Sequence, residues 1–250
     1  MRVTVPTLEP FRIFIGYDSK EPVAYHVLSH SILTRASAPV SITPVALTQL
    51  RGLYTRERSL LESTEFSLSR FLVPALAGYR GVAVFMDCDM LCLADITELQ
   101  DAVLAQPDKA VLVCQHDYTP KASTKFLGHP QTVYPRKNWS SLMVFNLQHK
   151  RCEDLTPEYV NTASGLDLHQ FNWVKDQYIG SLPLEWNYLV GESNQAMGLP
   201  KIVHFTNGGP WFLESEDSEY AAEWWHELST LSQFGHYETA RRVCEELIPV

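Results

Sequence analysis

The sequence predicts an α/β fold: one domain with a mostly parallel central sheet flanked by helices, followed by a helical C-terminal tail. Three observations carry that expectation. Short β-rich apolar runs alternate along the chain with longer segments that suit helices, the arrangement of parallel, doubly covered sheets. The sharpest of these runs, Val82–Met86, is five consecutive apolar residues, as expected of a strand buried on both faces. Finally, 250 residues that are 45% hydrophobic and 20% charged suffice for one large domain with a sizeable core. We place that core at about 11–212 and the tail at about 213–250.

Taken in order, Phe11–Gly16 (Phe-Arg-Ile-Phe-Ile-Gly) is the opening strand and ends at Tyr17-Asp18. Pro22 then starts a helix over Val23–Arg35, whose apolar residues occupy two faces. Val40–Val45 is a second strand broken by Pro44, and Phe66–Leu76 is a helix crossing to Val82–Met86. Asp95–Ala105 reads as a helix and Ala110–Cys114 as a strand. From Asp117 to Trp139 the chain loses periodicity, with Pro, Gly and scattered cations, and reads as an irregular excursion over a site. Leu142–Leu147 returns to a buried strand, Thr156–Thr162 and Phe171–Ile179 suit helices, and Lys201–Phe205 is a late strand. Tyr220–Leu228 and Tyr237–Leu247 form the helical tail.

The apolar run Val82–Met86 ends abruptly in Asp87-Cys88-Asp89. In extended chain, residues i and i+2 point to one face, so the two carboxylates aim at one point. Two like charges held together are costly unless a cation lies between them, which makes a divalent metal the leading explanation. Two other readings stand beside it: a helix cap with a solvated neighbour, and a phosphatase-type motif with Asp87 as nucleophile and Asp89 as acid/base. The latter motif usually opens its domain, whereas some 80 residues precede it in this chain.

The net charge of −9 argues against a nucleic-acid partner. Five cysteines, an odd count without a Cys-x-x-Cys, read as buried reduced thiols and point to the cytoplasm. The N-terminus lacks the apolar core of a signal peptide, and no stretch of about 18 apolar residues exists to span a bilayer, which leaves peripheral membrane contact open.

Several motifs occur together in order: Ile-Phe-Ile-Gly-Tyr-Asp, Ser-Leu-Ser-Arg-Phe-Leu-Val-Pro-Ala-Leu, Val-Phe-Met-Asp-Cys-Asp-Met-Leu, Leu-Met-Val-Phe-Asn-Leu, Lys-Asp-Gln and Val-His-Phe-Thr-Asn-Gly-Gly-Pro-Trp. Over roughly residues 11–212 the chain thereby resembles the family 8 glycosyltransferases, which have a nucleotide-sugar-binding GT-A (Rossmann-like) fold. The resemblance implies a metal held by Asp87, Asp89 and His204, with Mn²⁺ suiting two oxygens and an imidazole and Mg²⁺ next. It implies donor contacts from Asp18, Arg70, Cys88, Asn207, Gly208 and Gly209, where glycines admit close phosphate approach and free N–H donors. Asp176 and Gln177 match an acceptor-side pair and stand as the catalytic candidates.

The implied activity is transfer of a hexose-type sugar from a nucleoside diphosphate sugar, UDP-linked by expectation, to a glycan or lipid-linked acceptor with retention of configuration. A non-catalytic sugar-binding relative is the third reading. It arises because Gly209 stands where the family carries a lysine before the proline, in a segment one residue short. Alternative roles remain for single residues: Asp18 as a helix cap, Arg70 as a structural partner of an aspartate, and Trp186 and Tyr188 as a stacking platform or as core.

Overall fold

A computed structural model of the chain describes residues 9–59, 62–117, 136–193 and 198–232. In chain order the strands are β1 (Phe11–Gly16), β2 (Val40–Val45), β3 (Val82–Met86), β4 (Met90–Cys92), β5 (Val111–Cys114), β6 (Leu142–Asn146), β7 (Ile179–Leu182), β8 (Tyr188–Leu189) and β9 (Ile202–His204). The α-helices are α1 (Pro22–Arg35), α2 (Val73–Leu76), α3 (Glu98–Ala105), α4 (Pro157–Thr162), α5 (Gly165–His169) and α6 (Ala221–Ser232). The first six-stranded layer has the order β2-β1-β3-β6-β5-β7, and a second, three-stranded sheet has the order β4-β9-β8.

The large sheet is mostly parallel, as the sequence implies. Strands β1, β2 and β3 run together, β5 and β7 run together, and β6 alone opposes its neighbours β3 and β5. Every residue of β5 and β6 is buried, as are the last four of β3, which is why these segments read as unbroken apolar runs. Phe85 and Phe145 are fully buried within this layer. Truncating either to alanine would cost about 3–5 kcal/mol.

Strand β2 continues through Pro44 instead of breaking there. Pro44 pairs with Ile15, and β2 is the sheet's outer strand, where a missing N–H leaves no central ladder bond unmade. Helix α1 has two apolar faces because it serves two cores. Leu28 and Ile32 belong to the main core, while Val27 packs with Leu91, Val190, Val203, Phe205 and Trp224 in a smaller one.

Other expectations shift. The 66–76 helix resolves into a 3-10 turn at Ser69–Leu72 followed by α2, and the 95–105 helix begins at Glu98. No helix spans 171–179; a 3-10 turn at Asp176–Tyr178 leads into β7. The segment's aromatics pack instead on neighbouring rings, Phe171 against Phe71 and Trp139, and Trp173 against Phe145. Helix α5, strands β4 and β8, and the second sheet carry no periodicity signal, being two to five residues long. The excursion over 118–135 and the second tail helix at Tyr237–Leu247 lie outside the described residues.

Four cysteines, Cys88, Cys92, Cys114 and Cys152, are free thiols and fully buried. Among the described residues no helix is long and apolar enough to cross a membrane.

Candidate metal centre

The site forms where the two sheets meet. β3 ends at Met86 in the large sheet, β4 begins at Met90 in the small one, and Asp87-Cys88-Asp89 is the bend between them. Alternation survives the bend: Cys88 is buried in the main core while its two neighbours remain partly accessible. His204 arrives from β9, which pairs antiparallel with β4 so that Met90 faces His204. The amide of Phe205 donates to the Asp89 carbonyl at 2.8 Å, fixing the two segments side by side.

Asp87, Asp89 and His204 each offer a ligand atom, and these atoms all lie within 4.8 Å of one another. His204 Nε2 is 3.4 Å from Asp89 Oδ1, beyond good hydrogen-bonding reach. That Asp89 oxygen is buried and makes no hydrogen bond. A buried carboxylate oxygen left so, facing an imidazole nitrogen and beside a second carboxylate, is the donor set a divalent cation satisfies.

Each ligand is held from behind. Arg70 Nη1 pairs with Asp87 Oδ1 at 2.7 Å and donates to the Ser140 carbonyl at 2.9 Å, with its guanidinium lying over the Phe66 and Phe85 rings. The sequence left Arg70 between phosphate and aspartate; the structure pairs it with the aspartate. Ser141 contributes its carbonyl to the Asp87 amide at 2.9 Å. His204 Nδ1 lies 2.9 Å from Asn187 Oδ1, and both residues are buried. Asn187 Nδ2 in turn donates to Ser141 Oγ at 2.9 Å and to the Asn138 carbonyl at 3.4 Å. Asn138 itself is left-handed (φ 61°), a conformation asparagine tolerates better than most residues, and its Nδ2 donates to Thr206 Oγ1.

Glu21 and His116 also border the cluster, and sequence reasoning singled out neither. Glu21 is buried; desolvation first, then the Asp89 and Asp18 carboxylates, push it up to about 8, so it keeps its proton at neutral pH. Cys88 Sγ donates to Glu21 Oε1 at 3.6 Å, and burial, together with the surrounding carboxylates, raises that thiol. Burial and the neighbouring His204 lower His116 to about 4, so it is neutral at pH 7. Glu21 lies one residue before Pro22 at the start of α1, which masks it as an ordinary first-turn acid.

The remaining candidates fall in different places. Asp18 is buried and does not cap α1. Its Oδ1 accepts from the Lys20 amide at 3.0 Å and its Oδ2 from the Glu65 amide at 3.1 Å. The positive φ of the late turn belongs to Gly208 (112°), whose amide is already spent on the Phe205 carbonyl at 2.9 Å and is not a free donor. Gly209 is required for another reason: a Cβ there would lie 2.1 Å from the Trp211 ring. Asn207 Nδ2 reaches Glu192 Oε1 at 3.4 Å. Trp186 and Tyr188 are buried, with Lys201 Nζ 4.7 Å from the centre of the Trp186 ring, so they are core and not a platform. Trp224 is fully buried, while Trp225 is 45% exposed.

Asp176 and Gln177 are not brought to the cluster. Ala110 donates to the Tyr178 carbonyl, and Lys109 Nζ to that of Gln177, so this turn enters β7 beside the start of β5. Strand register then puts Ile179 level with Ala83, at the end of the sheet opposite Asp87 and three strands away. Asp176 is 80% exposed and paired with Arg136 at 2.7 Å. The Lys-Asp-Gln triplet leads directly into β7, at the end of that strand away from Asp87.

Comparison with known proteins agrees with this picture. The bifunctional glycosyltransferase WbbM superposes with a TM-score of 0.63 over 95% of this chain and 52% of its own, at 15% identity. GlyE of Streptococcus pneumoniae TIGR4 gives 0.56 over 88% of this chain and 60% of its own, at 13% identity. The galactosyltransferase LgtC, solved with donor and acceptor sugar analogues, gives 0.54 over 90% of this chain and 98% of its own, at 12% identity. This chain thus spans about half of WbbM and three fifths of GlyE. The architecture is the GT-A glycosyltransferase fold, with an Asp-Asp-His cluster at the tip of a central strand. No family model matches the sequence. The chain belongs to the family of Protein CDI from Arabidopsis thaliana, with which it is 52% identical over 227 residues, or 88% of this chain and 86% of that protein.

Proposed function

We propose that the protein is a metal-dependent glycosyltransferase acting as the family 8 enzymes do. It moves a hexose-type sugar from a nucleoside diphosphate sugar, with UDP as carrier, to a glycan or lipid-linked acceptor with retention, in the cytoplasm. Mn²⁺ is the metal of choice and Mg²⁺ the second. The observation supporting this most directly is the convergence of Asp87, Asp89 and His204, from two strand systems, on one point within 4.8 Å.

In the reaction the bond between the anomeric carbon and the diphosphate oxygen breaks, and its electron pair stays on that oxygen. The acceptor hydroxyl passes its proton to that departing oxygen as its own oxygen takes the anomeric carbon from the same face, which retains the configuration. Asp87, Asp89 and His204 would hold a divalent ion, which would supply the Lewis acidity that offsets the charge building on the leaving diphosphate. The chain's own part is to hold the ligands still. Arg70 keeps Asp87 oriented, and the backbone bond between Phe205 and Asp89 keeps His204 beside the bend. Asp18, Asn207, Gly208 and Gly209 are assigned to the donor side, and Cys88 contributes there through its main chain because its thiol is buried. Asp176 and Gln177 have no part in this reading. Phosphatase chemistry is disfavoured because Asp87 Oδ1 is engaged by Arg70.

UDP titration in a thermal melt tests the assignment. Ligand at about 100 times its dissociation constant stabilises the folded state by about 2.7 kcal/mol. For a domain this size that corresponds to roughly 5–10 °C. The shift is expected with Mn²⁺, should vanish in EDTA and should fall in His204→Ala. An equal shift with and without metal would refute chelation of the diphosphate through this cluster.

A further inference from the structure

We propose that Asn187 is a positioning residue that fixes the tautomer and aim of His204, so that Nε2 presents its lone pair to the gap between Asp87 and Asp89. The proposal rests on the metal reading of the cluster. An amide group can turn either its oxygen or its nitrogen toward a partner, so the first question is which way Asn187 faces. Its neighbours decide. Nδ2 lies 2.9 Å from Ser141 Oγ and 3.4 Å from the Asn138 carbonyl. Ser141 Oγ spends its own proton on that same carbonyl at 2.7 Å, which leaves the hydroxyl a lone pair and nothing to donate. Both partners therefore demand a donor, and the amide nitrogen must face them.

The amide oxygen is thereby turned to His204 Nδ1 at 2.9 Å. An amide oxygen only accepts, so the ring hydrogen is on Nδ1 and the ligating lone pair on Nε2, the nitrogen that faces Asp89. Asn187 and His204 are both buried, at 0% and 1% exposure, so water does not compete for either contact. The anchor of the chain is Asn138, held left-handed at φ 61°, whose carbonyl receives both Ser141 and Asn187. Histidine ligands elsewhere are oriented in this way by a group behind the ring, and loss of that group typically costs roughly 10–100-fold in metal affinity.

Two measurements test it, one without metal. In the metal-free wild-type protein, ¹⁵N imidazole shifts of His204 should report the Nδ1–H tautomer; the Nε2–H form would overturn the proposal outright. For the second, Mn²⁺ affinity is measured by electron paramagnetic resonance in wild type and three variants. Asn187→Leu should weaken binding roughly 10–100-fold. Asn187→Asp keeps an acceptor toward Nδ1 while facing Ser141 and Asn138 with the wrong group, so it should retain affinity within a few-fold. A residue that merely filled the core would show no such split, with aspartate at least as damaging as leucine. Ser141→Ala, a small change certain to test the network if Asn187→Leu does not fold, should weaken Mn²⁺ a few-fold, and wild-type affinity in it would count against the proposal. A wild type that binds no Mn²⁺ yet shows Nδ1–H would sink the metal reading and leave the tautomer assignment intact.

Discussion

Two Asp-bearing segments, Asp87–Asp89 and Asp176–Gln177, meet the large sheet at opposite strand ends, and their surroundings differ in kind. At the end of β3, Asp87 and Asp89 are backed by Arg70, Ser141, His204 and Asn187, and the groups behind them are buried. At the entry to β7, Asp176 and Gln177 occupy one exposed turn with a single ion pair to Arg136. The contrast teaches that residue type does not make a site. Carboxylates become chemically useful where the fold forces them together, removes them from water and cross-links their supports. The Asp176–Arg136 pair, whose carboxylate is 80% exposed, contributes about 0–1 kcal/mol.

The sharpest way to break the comparison is to neutralise one acid at each end. Asp89→Asn should abolish transfer, read as nucleoside diphosphate release, and abolish Mn²⁺ binding. Its melting temperature should stay level or rise slightly, since one of two crowded carboxylates is gone. Asp176→Asn should leave both readouts within about two-fold, on the ~0–1 kcal/mol scale of an exposed pair. Activity lost at Asp176 and kept at Asp89 would invert the assignment.

A smaller effect comes from packing near the first end. Gly209→Ala sets a methyl 2.1 Å from the Trp211 ring, which must shift. Overpacking of this kind typically costs about 1–3 kcal/mol. That is roughly 3–10 °C in melting temperature for a domain this size. Calorimetry showing no loss would mean that the turn relaxes freely and that a family-type lysine at this position would be admissible.

The smallest effect sets a floor, because it touches neither end. Buried Glu227 on α6 pairs with Arg35 Nη2 at 2.7 Å and His30 Nδ1 at 2.5 Å on α1. Burial alone would raise its carboxyl, but hydrogen bonds and charge from Arg35 and His30 outweigh it and hold it below the ordinary range. As pH falls, the unfolded chain therefore takes up the proton first. The stabilisation is full above the unfolded value of about 4.3 and is lost as pH drops through the folded one. Glu227→Gln should cost about 1 kcal/mol at pH 7. The difference from wild type should shrink in urea melts repeated toward pH 3, with Mn²⁺ affinity unchanged throughout. A gap that widens in acid would contradict the pairing.

Much of this arrangement was legible in the sequence. Continuous apolar runs announced β3, β5 and β6 because burial on both faces demands them, a β-rich segment announced β1, and the bend after Met86 announced itself by placing charge between buried stretches. His204 was found through the glycine turn that follows it. What stayed hidden is whatever depends on contacts distant in sequence. β4 and β8 are two or three residues long and have meaning only beside β9, whose segment alone read as a strand. Asn187 is 46 residues from Ser141 and 17 from His204, and no local pattern records that they touch. Lys175-Asp176-Gln177 shows the complementary limit: a local match says nothing about which end of a strand it will occupy.

The four buried thiols give the molecule an internal clock. Burial raises each of Cys88, Cys92, Cys114 and Cys152 above its ordinary value, and the thiolate is the form that attacks alkylating reagents. Folded protein therefore reacts at these positions only when the surrounding layer opens, and the labelling rate at each cysteine counts those openings. The four positions sample different seams of the structure: the bend after β3, strand β4, the end of β5 and the turn after β6. Cys88 lies between the two aspartates, so an ion that clamps them should slow its labelling most. One reagent and one mass spectrum can thus separate local breathing at the bend from global unfolding without a single substitution.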